Sequence, residues 1–195
     1  MIHSIGCNLN CYRCFNYKEL VQNPLNVCDE KYIKEQIRLN ERLVDAIIIS
    51  GGEFLINEIT DIENFLCDIK NKIIINTNGS YPDKMEYLIS KGLVDGFHTD
   101  MKLPYHLLDC HCDKDLIELI VGRYLSESEI SRFISSLEIT VKTDKGYNQI
   151  RSVKYPFMDG SAFNENRRFI DGLNKKYNKS VPYYVNDFIE GDDNR

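Results

Sequence analysis

Short runs of β-branched residues alternate along this chain with longer amphipathic segments, and no other feature narrows its fold so far. Antiparallel strands can be joined by tight turns, whereas parallel strands need a crossover of a dozen residues or more, usually a helix. The alternation is the pattern of repeated strand and helix units around a mainly parallel sheet, an α/β fold. The expected strands are "IHSI" at 2–5, "VDAIIIS" at 44–50, "KIIINT" at 72–77, "VDGFHTD" at 94–100, "LEITVKT" at 137–143 and "YYVNDFI" at 183–189. Between them, "DEKYIKEQIRLNERL" sets Tyr32, Ile33 and Ile37 on one helical stripe, and "NEITDIENFLCDIKNK" repeats Ile59, Ile62, Leu66 and Ile69 at helical spacing. Ser126, three residues before Glu129, is a capping-box signature that starts a helix ahead of the fifth strand, and "SAFNENRRFIDGLNKKYNK" supplies one ahead of the sixth.

Length and composition fit one soluble domain over residues 1–195: 195 residues can bury a sizeable core, and 43% hydrophobic with 28% charged residues are ordinary globular values. No internal repeat, low-complexity tract or composition break marks a second domain. A formal net charge of -6 argues against nucleic acid or an anionic membrane surface as partner, since both need clustered lysine and arginine. No apolar run approaches the roughly 20 residues needed to span a bilayer. Met1 also leads into "IHSIG" without a signal-like segment, so a cytoplasmic location is expected. There the seven cysteines, an odd number, are expected as thiols or metal ligands rather than disulfides.

Three of those cysteines, Cys7, Cys11 and Cys14, crowd into "GCNLNCYRCFN" directly after the first strand. A closed structural zinc site normally takes four protein ligands, so three suggest a metal site with one position left open. Zinc or a purely structural cluster is the alternative for the triplet taken alone. In barrel-like α/β folds the loops leaving the C-terminal ends of parallel strands form the active face. Strand two exits into "GGE" (Gly51, Gly52, Glu53), strand three into "NTNG" (Asn76, Thr77, Asn78, Gly79) and strand four into "DMK" (Asp100, Met101, Lys102). All four exits are expected to face one pocket. Gly51 and Gly52 would let the backbone approach a ligand closely, and the Glu53 carboxylate could accept from an ammonium group. Asn76, Thr77 and Asn78 offer polar side chains, although Asn-Gly alone is also a hairpin signal.

The C-x3-C-x2-C pattern of "CNLNCYRC", followed by a strand ending in "SGGE", resembles the radical S-adenosylmethionine (SAM) superfamily. The resemblance implies a partial (β/α)6 parallel barrel in which Cys7, Cys11 and Cys14 hold a [4Fe-4S] cluster and the methionine end of SAM binds the fourth iron. It also implies reductive cleavage of SAM to methionine and a 5'-deoxyadenosyl radical. The residues at 51–53 and 76–78 would then meet the SAM amino acid moiety or ribose. "NTNG" followed by "LVDGFHTDMKLP" is further similar to glycyl-radical-enzyme activases, and "VPYYVNDFIEGDD" to the end of activating proteins of anaerobic ribonucleotide reductase. By that resemblance Lys102 would meet the SAM carboxylate and Asp100 a monovalent cation or the ribose. The partner would be a glycyl radical enzyme, with anaerobic ribonucleotide reductase first among them, and the reductant a flavodoxin or ferredoxin.

Three departures stand out. Asn76 occupies a position where many activases carry aspartate, Arg13 precedes the third cysteine where an aromatic residue is frequent, and only six residues come before Cys7. Tyr12 and Phe15 are the nearby aromatic residues. Two other functions are compatible with the same residues: a small radical SAM enzyme acting on a purine-like molecule or a peptide, and a non-catalytic iron-sulfur or zinc-binding interaction module. Of the remaining residues, Cys28 and Cys67 read as packing thiols. His98 reads as a core or pocket residue. His106, Cys110, His111 and Cys112 could bind a second metal, but lack the paired spacing of known zinc modules.

Overall fold

The computed structural model describes residues 1–24 and 26–191. Asp192 and Asp193, which close the C-terminal stretch singled out above, lie outside the described residues. Six strands form one sheet in sequence order: β1 (Ile2–Ser4), β2 (Ala46–Gly51), β3 (Lys72–Thr77), β4 (Gly96–Asp100), β5 (Gln149–Lys154) and β6 (Tyr183–Asp187). Every neighbouring pair is parallel. Helices fill the crossovers: α1 (Glu30–Leu39), α2 (Ile59–Leu66), α3 (Pro82–Ser90), α4 (Lys114–Val121), α5 (Glu127–Lys142) and α6 (Gly160–Tyr177). β1 and β6 are the two edges and do not pair with each other among the described residues, so the architecture is an α/β partial barrel.

Parallel strands covered on both faces read as continuous apolar runs, and β3 does so, with Ile73, Ile74 and Ile75 all buried. One apolar cluster joins β2 and β3 to α2 and α3 through Ile47, Ile49, Ile62, Leu66, Met85 and Leu88. A second lies under β4 and β5, where Met101, Leu103, Tyr105, Phe133 and Ile150 meet α4, α5 and α6. Tyr105 stacks on Phe133 with ring centroids 4.7 Å apart.

The fifth strand is a correction. Residues 137–142 of the expected strand belong to α5 and Thr143 caps its end, while β5 lies further on at Gln149–Lys154. The capping box is made as expected, with the Ser126 hydroxyl accepting from Glu129 N and Ser126 N donating to the Glu129 carboxylate. The helix it starts carries a buried stripe through Ile130, Phe133, Leu137 and Val141, a helical spacing that runs straight through the β-branched residues. Thr140 and Thr143 are absorbed by donating to the Ser136 and Ile139 carbonyls, each at 2.7 Å. Helical packing thus overrides local β propensity. The true β5, "QIRSVK", buries only Ile150 and Ser152 outright and offers little apolar signal.

Candidate radical SAM site

All four strand exits meet at one cavity of about 460 Å³. Cys7, Cys11, Cys14, Gly51, Gly52, Asn76, Thr77, Asn78, Asp100 and Lys102 all line it. Glu53 alone among the expected site residues does not.

The cysteine loop is held from both sides. Gly6 N donates to the Leu20 carbonyl at 2.8 Å, and Leu9 is buried in the core below. Asn10 N and Tyr12 N donate to the carbonyls of Val121 and Ile120 at the end of α4, at 3.1 and 3.0 Å. On the other side, Gly52 N donates to the Ser4 carbonyl at 2.9 Å and Glu53 N to the Gly6 carbonyl at 2.8 Å. A β-carbon on Gly52 would stand 1.9 Å from the Gly6 carbonyl oxygen. Gly52 therefore lines the cavity, but what forbids a side chain there is the backbone of the cysteine loop itself.

Glu53 needs a correction too. Its side chain is fully buried, and the carboxylate accepts from Leu55 N at 3.1 Å, Thr77 Oγ1 at 3.0 Å and Asn78 N at 2.6 Å. With its oxygens turned beneath the cavity, it organises the β3 exit and is not available to a ligand ammonium. Burial pushes its pKa up to about 7 even though these donors favour the ionised form. The Thr77 hydroxyl also accepts from Gly79 N, and the Asn78 amide bonds Asn8 Oδ1 at 2.8 Å and the Cys7 sulfur at 3.9 Å. Asn76 differs: its amide donates to Ser50 Oγ at 2.8 Å, while its buried Oδ1 has no partner among the described residues. That oxygen, in a residue lining the cavity, is a ready acceptor for a ligand donor.

The fourth exit is an ion trio. Asp100 accepts from Lys102 Nζ at 2.8 Å and from Arg151 Nη2 at 3.0 Å. Burial opposes the Asp100 charge, but these two cations hold its pKa below the ordinary value. Burial likewise works against the Lys102 ammonium, yet Asp100 holds its pKa well above that of a free lysine. Two cations and one carboxylate leave one net positive charge facing the thiols. Arg151 is the residue that sequence reasoning missed: it sits on β5 in register with Asp100 on β4, and β5 was not where it was expected. Tyr155, just past β5, also lines the cavity and packs at 5.6 Å between ring centroids against Phe188.

The three thiols fit an iron-sulfur cluster. They form no disulfide among the described residues, are partly buried and turn to one cavity beside the cationic trio. Burial pushes the Cys7 thiol up and the Cys11 thiol to about 11, so both stay protonated at neutral pH until a metal displaces their protons. Arg13 pairs with Glu190, and Gly191 N donates to the Arg13 carbonyl at 3.2 Å, so residues after β6 lie against the cysteine loop. Tyr12 packs edge-on against Phe157 at 5.0 Å, whereas Phe15 is exposed at the cavity.

Other expectations are settled away from the cavity. His98 does not line it, and burial, with Arg151 nearby, lowers its pKa to about 4. Cys28 and Cys67 are exposed and are not packing thiols. Among the described residues no helix is long and apolar enough to cross a membrane.

Comparison with known proteins agrees with the geometry. A Methanocaldococcus jannaschii protein, named as a candidate glycyl-radical enzyme activating enzyme, is 29% identical over 104 residues. That stretch is 52% of this chain and 42% of the relative, so the chain spans less than half the length of the protein it matches. The family model of the radical SAM superfamily, whose members work with a [4Fe-4S] cluster and SAM, matches residues 1–108. With the thiol triplet, the "GGE" exit and the parallel partial barrel, this match makes the chain a member of the radical SAM superfamily.

Proposed function

We propose that this protein, acting as a single domain over residues 1–195, installs a glycyl radical on a partner enzyme, with anaerobic ribonucleotide reductase the first candidate. The observation that carries the activase reading is the similarity to a relative named as a glycyl-radical enzyme activating enzyme. Cys7, Cys11 and Cys14 would hold the [4Fe-4S] cluster. When bound, that cluster supplies the electron that reductively cleaves SAM to a 5'-deoxyadenosyl radical.

The chain's own residues orient and shield that chemistry. Lys102 and Arg151, with one net positive charge beside Asp100, suit the SAM carboxylate, and the partnerless Asn76 Oδ1 suits a donor of the methionine or ribose. Because Lys102 and Arg151 already satisfy both Asp100 oxygens, a monovalent cation there is not favoured. The exposed rings and alkyl chains of Phe15 and Ile189 at the cavity suit a protein loop entering beside the cluster. A flavodoxin or ferredoxin in the cytoplasm is the proposed reductant.

The test mixes cluster-loaded, reduced protein with SAM and anaerobic ribonucleotide reductase carrying deuterated glycine. A persistent glycyl doublet by electron paramagnetic resonance, with deuterium passing into 5'-deoxyadenosine, is the expected result. Deuterium arriving instead from a labelled nucleoside or peptide, with no protein radical, would overturn the activase assignment.

A further inference from the structure

Cys110, His111 and Glu127 lie outside the radical SAM cavity and have no part in the function above. Their sulfur, ring nitrogen and carboxylate oxygen all lie within 4.8 Å of one another. Cys110 and His111 precede α4, and Glu127 is the first residue of α5, so the group closes a loop around α4. We propose that these three residues form a second metal site, binding one zinc ion that braces α4 against the start of α5.

Donor atoms around a tetrahedral zinc stand roughly 3 to 4 Å apart, given metal–ligand bonds of about 2.0 to 2.3 Å. The observed spacing therefore needs a contraction of about an ångström, and the two donors that would move, His111 and Glu127, are exposed side chains. Cys110 is the fixed member, 3% exposed and packed in the core beneath. Sulfur, imidazole and carboxylate together suit zinc, which accepts all three. Binding displaces the Cys110 thiol proton; the dication, one thiolate and one carboxylate then sum to zero charge, and water completes the shell.

The surroundings support the ion without crowding it. The Tyr124 side chain lies beside Cys110, where its hydroxyl can donate to the thiolate that zinc binding creates. Asp109 accepts from His111 N at 2.9 Å and Cys112 N at 2.8 Å, which orients the loop carrying the two ligands and adds negative charge near the cation. His106 is not part of the group: it stacks on Phe169 with centroids 4.3 Å apart. What the zinc would brace is functional ground, because the far end of α4 supplies the Ile120 and Val121 carbonyls that hold Tyr12 N and Asn10 N in the cysteine loop.

The experiment uses cluster-loaded protein titrated anaerobically with zinc, with calorimetry and zinc-edge X-ray absorption as readouts. One zinc per chain with a single sulfur neighbour and otherwise nitrogen or oxygen is expected. His111→Ala and Glu127→Gln, both at exposed positions, should each weaken binding at least as much as the ten- to hundredfold lost with an outer-shell partner elsewhere. Both variants should keep the full iron content. Zinc should also slow amide exchange at Ile120 and Val121. No binding, three sulfur neighbours, or affinity indifferent to both substitutions would overturn the site, and bound zinc with unchanged exchange in α4 would overturn the bracing.

Discussion

At the scale of single residues, the site separates side chains that face a ligand from side chains that hold those facing it. Glu53 belongs to the second group, and its burial gives a prediction with a definite sign. Its carboxyl holds a proton up to about pH 7 in the folded protein, whereas the unfolded chain releases it near the ordinary glutamate value of 4.5. Folding stability from this group is therefore fully present below pH 4.5 and lost as pH rises through about 7, an effect of roughly 3 kcal/mol. His98 acts in the opposite sense, since its lowered pKa costs stability as pH falls from 6.5 toward about 4. Comparing urea unfolding of the wild type and Glu53→Gln from pH 5 to 7.5 isolates the Glu53 contribution, and the variant should lose it. An unchanged pH slope in the variant would mean that Glu53 titrates normally. In the ligand-facing group, Lys102→Ala and Arg151→Ala should each retain the cluster. Each should weaken SAM binding about ten- to hundredfold, as expected for a charge-assisted contact of about 1.5–3 kcal/mol. Calorimetric titration with SAM reads this directly; full affinity in both variants would place the SAM carboxylate elsewhere.

At the scale of elements, what matters is how the cysteine loop is wedged between the β2 exit and the end of α4. The loop has little regular structure of its own; its backbone donors reach Leu20, Ile120 and Val121, and its Gly6 carbonyl accepts from Glu53 N, all contacts distant in sequence. Gly52→Ala should push against the Gly6 carbonyl and cost about 1–3 kcal/mol, as overpacking does. Its sharper signature is a lower iron content after reconstitution, because the displaced backbone carries Cys7. Normal iron loading in Gly52→Ala would show that the loop can yield. The elements also show where sequence and tertiary structure part. The capping box at Ser126 was readable because it is a local hydrogen-bond pattern, but the end of α5 was not. Its last turns are β-branched, and only the partners buried against that face keep them helical.

At the scale of the whole molecule, the open partial barrel sets a gradient of stability. β3 and β4 are interior strands with neighbours on both sides, while β1 is a three-residue edge strand and β6 is largely exposed at the other edge. Amide exchange under native conditions should be slowest in β3 and β4 and fastest in β1 and β6, because local opening follows burial and hydrogen bonding. Equal protection at the two edges and the centre would mean that the barrel closes in solution or through a partner. The same openness lies behind the proposed function, since an unclosed side leaves the cavity within reach of another chain.

What the sequence by itself determined is the part encoded in short-range pattern: the strand and helix alternation, four of the strand exits, the thiol triplet and the capping box. Each depends on residue types at fixed local spacings, which survive without knowledge of the rest of the chain. Tertiary structure alone decided which of those residues face the cavity. Glu53 follows two lining glycines in sequence, yet its carboxylate lies beneath the cavity, held by the Thr77 hydroxyl 24 residues further along the chain. Arg151 joins Asp100 across 51 residues through strand register, and Glu127 comes beside Cys110 only because α4 folds between them. The physical reason is common to all three. A charged or polar side chain takes its role from the partners that compensate its burial, and those partners arrive through the sheet and the packed helices, not from its neighbours in sequence.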